Sequence, residues 1–147
     1  MPVWMTEIVR EVSLWPGIST GDHKFGGTEF RFGQREIGHV HDFGVVDIPF
    51  TVVVRDALVR AGLAARHHWL PDSGWVTIPA HADSERAIRL LRLSFLKAEL
   101  RSADSNAVRN AEIELQTFDL GDEMNGLVRQ WRHQAANFAD QTERSTS

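Results

Sequence analysis

The sequence predicts an α+β domain of two layers, an antiparallel sheet of two hairpins packed by helices, with a C-terminal helical extension. Three observations predict it. "TEFRFGQREIGHVHDF" alternates its side chains about a Gly33-Gln34 pair, the pattern of a hairpin with a glycine-first turn. "ARHHWL" and "WVTIPA" flank the turn-forming "PDSG" in the same manner. "DSERAIRLLRLSFLKAELR" carries the apolar spacing of a capped helix, and a helix covering a sheet gives a stable two-layer domain.

The elements follow in chain order. Met5, Ile8 and Val12 stand at helical spacing in "MTEIVREVS", and Pro16 with Gly17 stops that helix. With Phe32 and Arg35 flanking the first turn, Phe30 faces Ile37 and Thr28 faces His39, so the histidines share the aromatic face and Arg31 opposes Glu36 on the other. Asp47 as N-cap and Pro49 in the first turn start a helix through "FTVVVRDALVRAG", ended by Gly62. Along the next strand His67 and His68 point to opposite faces, and one of them should reach the face bearing His39. Ile88, Leu91, Phe95 and Ala98 form the apolar stripe of the covering helix. The α+β domain is expected over 1–101, a helical extension over 102–140 and a disordered tail over 141–147. Phe118, Leu127, Trp131 and Phe138 of the extension need burial, either on the domain or in a homodimer through the C-terminal helices.

Composition narrows the chemistry. A chain of 147 residues is about one domain. The absence of cysteine removes disulfides, thiolate nucleophiles and cysteine-type zinc sites together. A formal net charge of -4 has the wrong sign for a non-specific nucleic-acid binder. Apolar runs such as "FGVVDIPFTVVV" and "AIRLLRLSFL" are too short and too charged to span a bilayer, so no membrane association is expected. The opening "MPVWMTEIVREV" lacks the pattern of a secretory signal, and a cytoplasmic location is the expectation.

"REIGHVHDF", "DIPF", "AGLA", "ARHHWLPDSGWV" and the helix "RAIRLLRLSFLKA" resemble the luciferase domain family, named for fungal luciferases, over roughly residues 15 to 98. The resemblance is closest to small bacterial members. It is clearest to the fungal enzymes around Arg35, Glu36, Ile37, His39, His41 and Asp42, and again around Arg66 and His67; His68 stands where the fungal pattern has proline. The resemblance implies oxygenase-like chemistry, in the fungal branch the oxidation of a hydroxylated pyrone by dioxygen without an added redox cofactor.

Such chemistry needs a base, because dioxygen reacts slowly with closed-shell organic molecules until they become electron-rich anions. Histidine suits the task, with an unperturbed pKa near ~6.5 and two ring nitrogens. His39 is the expected base, His41 or His67 assists, Asp42 or Asp47 orients the ring, and Arg66 or Arg35 stabilises the anion. Phe30, Ile37, His68, Ser73, Trp69 and Trp75 complete the expected lining for a small-molecule ligand. Ser73 itself belongs first to a turn and lacks the nucleophile-elbow pattern of a serine hydrolase. No cofactor is expected on this reading. The alternative uses His39, His41 and His67 as ligands of zinc or iron. A further alternative is a non-catalytic binding or self-association module in which the histidines pack and donate to backbone carbonyls. His23, His81 and His133 stand alone in the sequence and read as surface residues.

Overall fold

The computed structural model describes residues 1–24 and 26–146, with side chains as far as Phe138. Its elements in chain order are α1 (Val3–Ser13), β1 (Ile18–Asp22), β2 (Thr28–Phe32), β3 (Arg35–Val40), β4 (Val46–Pro49), α2 (Val52–Arg60), β5 (Ala65–Arg66), β6 (Trp75–Ile78), α3 (Ser84–Glu99), α4 (Ser105–Leu115) and α5 (Asp122–Thr146). The strands form one antiparallel sheet in the order β1-β2-β3-β4-β6-β5. The α+β class and the C-terminal helices are as the sequence predicts. The sheet exceeds two hairpins, because β1 and β4 join it. Two compact units divide the chain, Met1–Phe95 and Leu96–Ser147.

In the first unit one sheet face is apolar and is covered by helices. Phe30, Val40, Val46, Ile48, Val76 and Ile78 are fully buried. Val46 pairs with Ile78 and Ile48 with Val76, and residues paired directly across strands point the same way. The amphipathic α1 buries Met5, Ile8 and Val12. Phe95 of α3 meets the rings of Trp15 and Phe32, each at 5.4 Å between centroids. Asp83 caps α3, its Oδ1 accepting from Arg86 N–H at 3.0 Å. Of the expected stripe Leu91, Phe95 and Ala98 are buried and Ile88 is half-buried, and α3 buries Ala87, Leu90, Leu93 and Leu96 as well.

Three expectations are corrected. The first hairpin pairs Phe32 with Arg35 and Arg31 with Glu36, then shifts so that Phe30 faces Gly38 and Glu29 faces His39. Ile37 is the extra residue of a β-bulge. His39 therefore lies on the face opposite Phe30. Hydrophobic burial decides the shift: with the bulge, Phe30, Ile37 and Val40 are all buried, which strict alternation forbids for residues 37 and 40 together.

Asp47 and Pro49 start no helix; they belong to β4, whose Val46 and Ile48 fill the core. The start signals lose to strand pairing with β6. Thr51 is the actual N-cap of α2, its side chain accepting from Val54 N–H at 3.3 Å. Gly62, with φ +73°, ends this helix as expected, and Leu63 N–H reaches Leu58 C=O at 3.0 Å.

The second hairpin has a longer connection than "PDSG", spanning 67–74. Only Ala65 and Arg66 pair with β6 on that side. Arg55 of α2 pins the connection, donating to the carbonyls of Pro71 at 3.0 Å and Ser73 at 2.7 Å.

The second unit comprises the end of α3 with α4 and α5. Asp104 caps α4 by accepting from Asn106 N–H at 2.9 Å, and Asn125 Oδ1 accepts from Leu120 N–H at 2.9 Å ahead of α5. Among its described residues Leu96, Ala98, Leu100, Ala111, Leu115, Leu120, Met124 and Val128 are buried and apolar. Lys97 lies over the Trp131 ring at 5.0 Å. The disordered tail expected over 141–147 falls where side chains, and for Ser147 the backbone too, lie outside the described residues. Among the described residues no helix is long and apolar enough to cross a membrane.

Gly38 joins the two layers. A Cβ there would lie 2.5 Å from Leu91 Cδ2 and 3.0 Å from the Asp47 carbonyl oxygen, at φ +154°. Gly38→Ala should cost about 1–3 kcal/mol of stability in urea unfolding. An unchanged midpoint would contradict the close approach.

Candidate functional site

The sheet face opposite Phe30 carries a polar row. Pairing sets Glu29, His39, Asp47, Thr77 and Ala65 side by side on β2, β3, β4, β6 and β5. His41 follows His39 by two residues and shares its side, held by His41 N–H to Val45 C=O at 2.8 Å. His67 follows β5, with its N–H donating to Trp75 C=O at 3.3 Å. Glu36, opposite Arg31, is on this face already, and the bulge turns His39 onto it so that the Glu36 carboxylate meets the imidazole.

Asp47 is the centre. It is completely buried, and its Oδ2 lies 2.8 Å from His41 Nε2, 3.2 Å from His67 Nε2 and 3.3 Å from His39 Nε2. Its Oδ1 accepts from the Thr77 hydroxyl at 2.6 Å. Burial alone would raise the Asp47 pKa, but these hydrogen bonds and the nearby imidazoles overcome it and hold the carboxyl well below the usual range. Asp47 is ionised.

The three imidazoles differ in what their other nitrogen meets. His67 Nδ1 accepts from the backbone N–H groups of Trp69 at 3.1 Å and Leu70 at 3.2 Å. That nitrogen carries no proton, so Nε2–H is the donor to Asp47. His39 Nδ1 lies 3.0 Å from Glu36 Oε1, which places a carboxylate at each of its nitrogens. Burial pushes His39 down, yet the hydrogen bonds and charges of Asp47 and Glu36 outweigh it and raise the pKa to about 9. His39 is an imidazolium at neutral pH. His41, only 1% exposed, is pushed down chiefly by burial and stays neutral. Its Nε2 faces Asp47, and its Nδ1 has no hydrogen-bond partner among the described residues. Of the three, His41 alone keeps a lone pair for other work.

Placement of the remaining expected residues is uneven. Trp75 shares the polar face and tilts against His39 at 5.3 Å. His68 is exposed and stacks on His67 at 4.6 Å, so His67 is the buried member of the pair. Trp69 is exposed beside them. Ser73 closes its own turn, its hydroxyl donating to Leu70 C=O at 2.7 Å. Phe30 and Ile37 are fully buried, Phe30 on the far face. Arg35 pairs with Phe32 and Arg66 with Val76, which sets both on the far face, exposed; Arg66 lies 3.9 Å from Asp56. Asp42 is exposed in the turn after His41, near Gly26.

Several participants escaped the sequence reading. His23 is not isolated; its ring stacks on His39 at 3.8 Å. Glu36 and Thr77 complete the network, and Phe43 stacks on His41 at 4.8 Å. Alternation along β6 could have suggested Thr77, which shares its face with Trp75. Nothing in the sequence marks the bulge that turns His39 onto the face of Glu36.

The three-histidine metal alternative requires a neutral Nε2 lone pair from each of His39, His41 and His67. All three Nε2 atoms face Asp47 Oδ2, but His67 carries its proton on Nε2 and does not fit. Other groupings place His23, His39 and His41, or Asp47, His67 and His68, or His23, Glu29 and Glu36, within 4.8 Å. Each contains a residue already engaged: His39 by two carboxylates, His67 by the backbone, Glu29 by Arg31 at 2.5 Å. These engagements favour proton transfer over coordination.

The raised His39 pKa has a consequence for stability. Its contribution is full below the unfolded value of ~6.5 and is lost as pH rises toward about 9. A tenfold change in proton affinity corresponds to ~1.4 kcal/mol, so the loss across that window is roughly 3 kcal/mol. Urea unfolding from pH 6 to 9.5 should show this decline in the wild type and not in His39→Gln. An equal decline in both would remove the assignment.

No curated protein and no solved structure matches the chain. Residues 34–94 match the family model described as the luciferase domain, a segment that contains His39, His41, Asp47, His67 and Trp75. Over this segment the chain is similar to the luciferase domain family, in agreement with the resemblance its sequence carries.

Proposed function

We propose that the protein is a small oxidoreductase of the oxygenase type, which deprotonates a small enolisable aromatic or pyrone-type compound so that it reacts with dioxygen. The observation that carries this reading is the uncommitted Nδ1 of buried His41, backed at Nε2 by ionised Asp47. An aspartate in that position fixes the tautomer and stabilises the imidazolium that forms when the ring takes a proton. His41 Nδ1 accepts the proton of the substrate. The electron pair left behind forms the carbon–oxygen bond to dioxygen, negative charge collects on the distal oxygen, and the proton returns there to give a hydroperoxide. His39, positively charged between Asp47 and Glu36, supplies the fixed charge for the anionic stages. This is the role first expected of Arg35 or Arg66. The match of residues 34–94 to the luciferase domain model supports the class of chemistry.

Oxygen uptake with hydroxypyrones as probes tests the reading. His41→Ala should lower turnover at least a hundredfold while the fold survives, and Asp47→Asn should also lower it severely. Turnover should rise with pH as His41 loses its proton below ~6.5, and fall as His39 loses its own near pH 9. Wild-type uptake in His41→Ala would end the proposal. Zinc or iron at about one equivalent in untagged protein, lost in a His39→Ala, His41→Ala double variant, would replace it with metal-assisted chemistry.

Exposed Ile113 and Phe138 favour a second reading, self-association through the C-terminal helices. Sedimentation should then show a dimer that Ile113→Glu with Phe138→Glu dissociates. A monomeric wild type ends that reading.

A further inference from the structure

The Asp47 network leaves unused a set of rings at its edge. The turn 41–45, between β3 and β4, and the connection 67–74, between β5 and β6, each set an exposed aromatic residue beside a buried histidine. Phe43 is 61% exposed, yet lies nearly parallel to His41, 4.8 Å away with 20° between planes. Trp69, also 61% exposed, lies 4.4 Å from His68 and 6.2 Å from His67. His68 bridges the two loops, stacked on His67 and edge-on to Phe43 at 6.3 Å. Leu70 extends the exposed apolar surface at 53%.

Leaving such side chains in water forgoes the favourable transfer that burial would give them. A contiguous exposed patch of this kind marks an interaction site when it borders functional groups. Here it borders His41, whose Nδ1 is buried and has no hydrogen-bond partner among the described residues. A lone pair without a partner at 1% exposure implies that something else reaches it during function.

We propose that the entrance to His41 lies between these two loops and that Phe43, His68 and Trp69 are its specificity-determining residues, selecting flat, unsaturated rings over other enolisable molecules. The inference rests on the catalytic reading of His41. Ring stacking adds about 0.5–1.5 kcal/mol per pair beyond area burial, so two aromatic walls discriminate a flat ring from a puckered one about tenfold or more. Phe43 moves off His41 as the ligand enters. It is free to do so, because more than half of its surface faces solvent.

The test compares two probes, 4-hydroxy-6-methyl-2-pyranone, which is flat, and 5,5-dimethylcyclohexane-1,3-dione, which also enolises but carries methyl groups out of its ring plane. Binding is read by calorimetry, and access to His41 by its labelling with diethyl pyrocarbonate. The wild type should bind the flat probe at least tenfold tighter. Phe43→Ala with Trp69→Ala should reduce that preference to twofold or less with thermal unfolding unchanged, and Phe43→Ala alone should speed labelling of His41 at least tenfold. A preference that survives the double substitution, failure of the flat probe to bind, or unaltered labelling overturns the proposal. Neither readout requires turnover. Failure of the catalytic reading would appear as selective binding without oxygen uptake, and failure of this inference as uptake indifferent to both substitutions.

Discussion

A buried ionised carboxylate is expensive unless its hydrogen-bonding directions are filled, and Asp47 imposes that condition on the first unit. Its two oxygens are served by Thr77, His39, His41 and His67, from β6, β3, the turn after β3 and the connection after β5. No local stretch of chain could satisfy it. The neighbour order β3-β4-β6-β5 is what places all four partners within reach. Replacing such a network by apolar residues of similar volume is often neutral for stability, whereas removing one partner strands a charge. Its retention in the middle of a sheet is therefore better explained by chemistry than by folding energy.

The β-bulge at Ile37 reconciles this centre with the core behind it. Without the extra residue, His39 would share a face with Phe30 and the helices would cover an imidazole. With it, Ile37 and Val40 both enter the core, while Glu36 and His39, three residues apart, reach the same polar face. Gly38 lets Leu91 approach the strand from behind. The bulge thus re-aims a side chain beside a candidate site, as bulges commonly do.

Three histidines on one carboxylate oxygen would be redundant if they were alike. Their second nitrogens make them different: one meets backbone N–H groups, one a glutamate, and one no hydrogen-bond partner among the described residues. From identical side chains the fold obtains a fixed neutral donor, a persistent cation and a neutral ring with an open lone pair. Separation of protonation states by environment is how one site holds an acid and a base at the same pH.

Local pattern and composition were enough for the α+β class, the opening helix, the glycine-first turn, the Gly62 stop, the covering helix and the suspicion attached to "HVH" and "RHH". Each of these rests on periodicity, caps or turn residues within a short window. The role of Asp47 was hidden because aspartate before isoleucine and proline reads locally as a helix start, and only pairing with β3 and β6 makes it a strand residue facing three imidazoles. Glu36 was missed because the bulge turns His39 onto its face, and His23 because the strand residue it stacks on is distant in sequence. The arginines misled because a residue near a histidine in sequence can stand on the other side of the sheet. Sequence alone determined which residue types were available and which segments were helix or strand. Tertiary structure decided which histidine keeps its lone pair, because protonation depends on desolvation and on partners that strand register brings together.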